Sequence, residues 1–199
     1  MSVHTLVLVA VLAFWLLGAY KRLKRLRHKT RVAYGPLASQ LRQRHAVALA
    51  LAQASEALLG ARHPLVGEVV EAAQQAGRAT DEAQARGIRG RALQELAAAE
   101  EALVTRLDAL IASVQDLTSG LGPDPAVTEL LRQRDALQQQ IHFTRLFYNR
   151  EAEHYNQALH IFPTTVAAAL LRFHEAPLLA GPSVPLRLQA PRTDVGDLA

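Results

Sequence analysis

Val3 to Tyr20 is one apolar run, broken only by His4 and Thr5 near its start. Seven cations follow within eleven residues: Lys21, Arg22, Lys24, Arg25, Arg27, Lys29 and Arg31. The first acidic residue is Glu56. A helix over the apolar run rises roughly 27 Å, close to the hydrocarbon thickness of a bilayer. The pattern therefore predicts a transmembrane anchor over 1–20 and a basic juxtamembrane segment over 21–31. Such a basic block resists translocation, so the short N-terminus is expected outside and the remaining chain in the cytoplasm, after a single pass. A cleaved signal peptide is the competing reading. It wants a cation ahead of the apolar run and small residues at a cleavage site, and Leu17-Gly18-Ala19 followed by lysine and arginine is a poor match.

Beyond the anchor the apolar positions keep helical spacing, with no run of strand-like alternation. Residues 21 to about 59 predict a helix, with a kink or break at Gly35-Pro36, because proline lacks an amide donor and crowds the preceding turn. Gly60 to Pro64 closes it, and Pro64 suits the first turn of a second helix to about residue 86. The third helix, about 91–118, has the clearest pattern. Leu93, Leu96, Glu100, Leu103, Leu107, Leu110, Val114 and Leu117 alternate spacings of three and four, a heptad seam with one acid in it. Glu100 is placed to meet an arginine across that seam; the plainer reading puts it at the edge of the stripe. Asp124 as N-cap and Pro125 at the next position open a fourth helix to about His160. Phe162 to Phe173 reads as a short apolar helix after a proline turn. From Ala176 onward come Pro177, Pro182, Pro185, Pro191, Gly181 and Gly196 without period, predicting a disordered tail over 176–199.

These elements predict an all-α protein: an N-terminal transmembrane helix followed by an elongated antiparallel bundle over 32–175, with about four long helices and a short C-terminal one. A parallel coiled coil through the third helix is the alternative. The glycine and proline breaks between helices favour folding back.

Charge changes the picture of partners. Seven of the 22 cations lie in the basic block, leaving 15 against 18 acids, so the cytoplasmic part is near −3. Nucleic acid is not an expected partner. The bilayer is, and the block can also attract anionic headgroups. The chain has no cysteine, which removes disulfides, thiol catalysis and zinc–thiolate sites. Eight histidines raise a metal hypothesis, but Glu151-x-x-His154 stands without the second such pair a carboxylate-bridged di-iron bundle needs. There is no phosphate loop and no nucleophile elbow. No cofactor, metal or catalytic set is expected.

The end of the fourth helix holds an unusual cluster. Tyr148, Tyr155 and Phe162 are seven apart, as are Asn149 and Asn156, so each set shares a helix face. Packing is one reading of the stripe, with the asparagines fastening the short final helix through its backbone. A recognition groove is the other. Phe147-Tyr148-Asn149, then Tyr155-Asn156, Phe162-Pro163 and Phe173, resembles the C-terminal hallmark of the LemA family. The anchor followed by an arginine-rich amphipathic helix is similar to that family too. The likeness covers residues 3–175 in layout and 137–175 in motif. Arg44 to Leu49 and Gln139-Gln140 depart from the family pattern, which identifies the chain as a divergent member. The resemblance implies a bacterial inner-membrane protein with a cytoplasmic helical bundle and no established enzymatic activity. It also implies that Phe147, Tyr148, Asn149, Tyr155, Asn156, Phe162, Pro163 and Phe173 are the interaction candidates. The expected function is a membrane-anchored scaffold or adaptor that binds an unidentified membrane or cytoplasmic protein, or a further copy of itself. A regulator of a membrane protease or transporter is the alternative, and an enzyme or metal-binding bundle a third class.

Overall fold

The computed structural model describes residues 3–60, 62–87, 90–119, 122 and 124–180. Five helices follow one another: α1 (Val3–Leu59), α2 (Pro64–Ala85), α3 (Gly90–Thr118), α4 (Pro125–His160) and α5 (Thr164–Leu170). No strand occurs among the described residues. The all-α architecture expected from the sequence is the one observed.

Local chemistry sets most of the boundaries. The Asp124 carboxylate accepts from the amides of Ala126 (2.7 Å) and Val127 (3.2 Å), and Pro125 occupies the first turn, so α4 starts where its cap demands. Gly87 follows α2 in the left-handed conformation (φ 72°), which costs glycine little.

The expected break at Gly35-Pro36 does not occur, and α1 is one helix of 57 residues. Proline leaves the carbonyl one turn earlier, on Val32, without its amide, but Val32 and Pro36 both face outward, where water can bond that carbonyl. Gly35 has no Cβ to collide with the proline ring. On the inner face Tyr34, Leu37 and Ala38 are buried, so packing holds the helix through the site where local propensity opposes it.

α1 is the spine of the bundle. α4 runs antiparallel along it: the Thr30 hydroxyl reaches the Glu151 carbonyl at 3.1 Å, and Thr144 donates to the Gln40 side-chain oxygen at 2.8 Å. α2 folds back on the far half of α1, where Arg42 pairs with Asp81 at 2.8 Å, and α3 returns along α2. α3 and α4 make no close backbone approach, and an Arg134–Asp108 ion pair bridges them. Seven of the eight seam positions of α3, from Leu93 to Val114, are buried against these neighbours, so the seam serves the bundle itself. The core divides into a far cluster around Leu51, Leu103 and Leu110, a middle one around Tyr34, Leu96 and Tyr148, and a near one joining Ala19 and Leu23 to Tyr155, Leu159 and Ala167.

The start of the predicted tail departs from expectation. Residues 173–180 lie extended along α4 and are bonded to it, and Leu179 is buried in the middle cluster. The remainder of that prediction, 181–199, lies outside the described residues.

Candidate functional site

The tyrosine–asparagine stripe on α4 clasps the extended segment that follows α5. Asn156 donates its side-chain amide to the Ala176 carbonyl (2.8 Å) and accepts from the Ala176 amide (2.8 Å). One repeat earlier on the helix, Asn149 does the same with Leu179, at 3.1 and 2.9 Å. The Tyr155 hydroxyl donates to the His174 carbonyl at 2.9 Å, and the Tyr148 hydroxyl to the Pro177 carbonyl at 2.8 Å. Each asparagine thus pairs with a backbone unit as a neighbouring β-strand would, and each tyrosine adds a further carbonyl contact. Seven-residue spacing on the helix keeps these side chains on one face. The segment they hold supplies only main-chain atoms to these bonds. The asparagines fasten backbone, as expected, but it is the backbone of Ala176 and Leu179, not of α5.

The two tyrosines are buried in the bundle. Tyr148 meets Tyr34 edge-on with ring centroids 5.9 Å apart. Burial pushes both hydroxyls up, Tyr34 to about 12, so they remain proton donors at neutral pH. The Tyr34 hydroxyl points to the Thr80 carbonyl on α2 at 3.4 Å, which ties the clasp face of α4 through α1 to α2.

Other motif residues sit elsewhere. Phe147 is exposed on α4. Phe162 is 71 % exposed, and its ring lies 5.5 Å from that of Trp15 in the apolar start of α1. Pro163 follows a cis peptide bond at the α4–α5 turn. Phe173 packs edge-on to Tyr20 at 6.2 Å. The Thr164 hydroxyl, directed at the Ala158 and Ile161 carbonyls, closes the end of α4. The structure therefore divides the hallmark into a clasp (Tyr148, Asn149, Tyr155, Asn156) and a set beside the apolar start of α1 (Phe162, Phe173). All seven cations of the basic block are exposed on α1. Arg27 and Arg31 line a cleft of about 420 Å³ with Thr30, Tyr155, Arg172 and His174, against the clasped segment.

A second polar cluster lies in the middle of the bundle. Glu100 on α3 forms a buried ion pair with Arg44 and accepts a hydrogen bond at 2.6 Å from His45 Nε2, both on α1. Burial and the adjacent Arg44 charge push His45 down to about 4, so the imidazole is neutral at physiological pH and donates one proton to the carboxylate. Burial, then Arg134 and Arg145, lower Arg44 to about 10, which leaves it charged. The pair is a neutral unit set among apolar side chains, beside a cleft of about 290 Å³ that Leu41, Leu96, Ile141 and Leu179 help line. Glu100 was identifiable as the acid in the α3 seam. Arg44 and His45 were missed. The available signal was a second seam: Leu37, Leu41, Arg44, Ala48, Leu51 and Ser55 keep three–four spacing on α1, with a cation where α3 has its acid.

Among the described residues no group of three or more histidine or acidic side chains converges on a metal-sized site. One helix is long and apolar enough to cross a membrane, and the apolar stretch near its N-terminus is almost wholly unburied by the rest of the protein. The model of the LemA family matches residues 33–192, which takes in the bundle, the hallmark and the clasped segment and continues past the boundary at 175 drawn from the sequence. Neither curated proteins nor solved structures give a match. Over most of its length, and through the residues that build the clasp, this chain belongs to the LemA family.

Proposed function

We propose that the protein is a non-enzymatic scaffold or adaptor, anchored in the inner membrane by the start of α1 and presenting its bundle to the cytoplasm. The observation that carries this reading is the continuity of α1. One helix supplies both the unburied apolar stretch and the spine against which α2 and α4 pack, so the bundle stands in a fixed relation to the anchor. The exposed cations from Lys21 to Arg31 support a cytoplasmic bundle. The clasp supports a structural role for the hallmark, since its polar groups are spent on the chain's own backbone.

The test is site-specific photocrosslinking in cells from two sets of positions, one on the anchor (Val7, Val11) and one on the outer flank of the bundle (Glu68, Glu71). Crosslinks from the flank to a defined cytoplasmic protein, or to a second copy of this chain, are the expected result. Crosslinks from the anchor to a stoichiometric membrane protease or transporter would replace the scaffold reading with a regulatory one. Stoichiometric iron or zinc in the purified full chain would overturn the non-enzymatic reading.

A further inference from the structure

The α4–α5 turn sits beside the anchor rather than beyond it. Leu16 and Ala19 on α1 pack with Leu159, Ala167 and Ala168, and Phe162 reaches back to Trp15. If the apolar run had to cross the bilayer free of the bundle, only Val3 to Phe14 would be available. That is about 18 Å of helix, well short of the roughly 30 Å hydrocarbon core. The stretch over which the turn packs on α1 is therefore needed to complete the span, and whatever touches it there shares its depth.

The turn is composed for that position. Residues 161–171 carry no charge, and His160 and Arg172 bracket them. Ile161, Phe162, Val166, Leu170 and Leu171 are all exposed, Leu170 by 65 % and Phe162 by 71 %. An uncharged apolar surface of this kind, continuous with a membrane span, is what an interfacial segment offers to lipid. Trp15 and Tyr20, the aromatic partners of Phe162 and Phe173, are residue types that favour the membrane–water boundary.

We propose that the α4–α5 turn and α5 are a second membrane-contacting element, inserted among the lipid acyl chains of the cytoplasmic leaflet next to the anchor. The inference rests on the reading of α1 as a membrane span. It makes the base of the bundle monotopic as well as tethered. The anchor is then flanked by protein on one side and by lipid on the other through the inner leaflet.

The absence of cysteine makes a single introduced thiol a unique reporter. Leu170→Cys and Ile161→Cys, each spin-labelled in the full chain and reconstituted in phosphatidylethanolamine–phosphatidylglycerol vesicles, are compared with Val9→Cys in the anchor and Gln53→Cys at the far end of α1. The ratio of collisions with oxygen to collisions with a water-soluble nickel chelate reads immersion. The expected result is a ratio at 170 and 161 several-fold above that at 53 and approaching that at 9. A ratio at 170 and 161 equal to that at 53, with 9 immersed, overturns the proposal and leaves the anchor reading standing. An aqueous value at 9 overturns both. Dipolar broadening at 170 with low access to both relaxants would mean that a second copy covers the turn, and also overturns the proposal. Circular dichroism matching the parent chain certifies each variant as folded.

Discussion

Asn156 and Ala176 exchange two hydrogen bonds, side-chain amide to main-chain carbonyl and main-chain amide to side-chain oxygen, each at 2.8 Å. The asparagine completes a peptide unit that would otherwise lie against a helix with no partner. Asn156→Asp keeps the shape but turns a donor into an acceptor facing a carbonyl. A loss of about 1–3 kcal/mol is expected, with faster amide exchange over 174–180. Hydrogen exchange by mass spectrometry checks this, and unchanged protection of that peptide would count against the clasp. Asn149→Asp should act on Leu179 in the same way, and the double variant should free the segment.

Tyr148→Phe removes one donor from the Pro177 carbonyl and little else. The expected loss is about 1 kcal/mol. Tyr148→Ala also empties the space against Tyr34 and should cost about 3–5 kcal/mol, the range for deleting a large buried ring. Thermal unfolding of both variants separates the hydroxyl from the ring.

Glu100→Ala leaves Arg44 as a buried, unpaired cation and should destabilise by about 3–5 kcal/mol. Arg44→Met combined with Glu100→Leu removes both charges and should recover most of that loss. A double-mutant cycle in urea measures the coupling, and strict additivity would show that the two side chains do not interact in solution.

His45 couples this cluster to pH. Its folded value lies near 4, below the ordinary 6.5, so between those values the unfolded chain binds a proton that the native protein does not. Stability from this residue is complete above about pH 6.5 and is lost as pH falls towards 4, with a slope of up to about 1.4 kcal/mol per pH unit. The charges that act on the ring are those of Arg44, Arg42 and Asp81, and Glu100 is bonded to it. His45→Gln retains a donor for Glu100 without titrating, so its stability profile should be flatter over that window. Parallel profiles for the two proteins would refute the assignment.

Pro36 interrupts a helix that forms regardless. Pro36→Ala restores the amide to the Val32 carbonyl on an exposed face and should stabilise the protein by about 1–3 kcal/mol, less what the unfolded chain gains in freedom. A raised thermal midpoint is the expected reading, and a lowered one would mean that the proline ring packs productively.

Periodicity made the helices, the α3 seam and the two tyrosine–asparagine repeats legible in the sequence, because each rests on spacing within one element. The continuity of α1 was not legible, since the local signal at Gly35-Pro36 points to a break and only the buried face of Tyr34, Leu37 and Ala38 overrides it. Residues 176–180 read as tail for a related reason. Their order comes from bonds to side chains 20 to 30 positions earlier, and neither composition nor period records such bonds. Glu100 stood out as an anomaly in its seam, but its partners lie on a different helix, and the cation at Arg44 gains meaning only once α1 and α3 are set side by side.

On the proposed reading of its apolar run as an anchor, α1, which continues to Leu59 without interruption, is a lever pivoted at the bilayer. From Lys21 outward the arm is about 58 Å long, so a tilt of about 10° at the pivot sweeps its tip sideways by about 10 Å. Bilayer thinning, which tilts such spans, would on that reading be converted into a sideways displacement of the far end of the bundle.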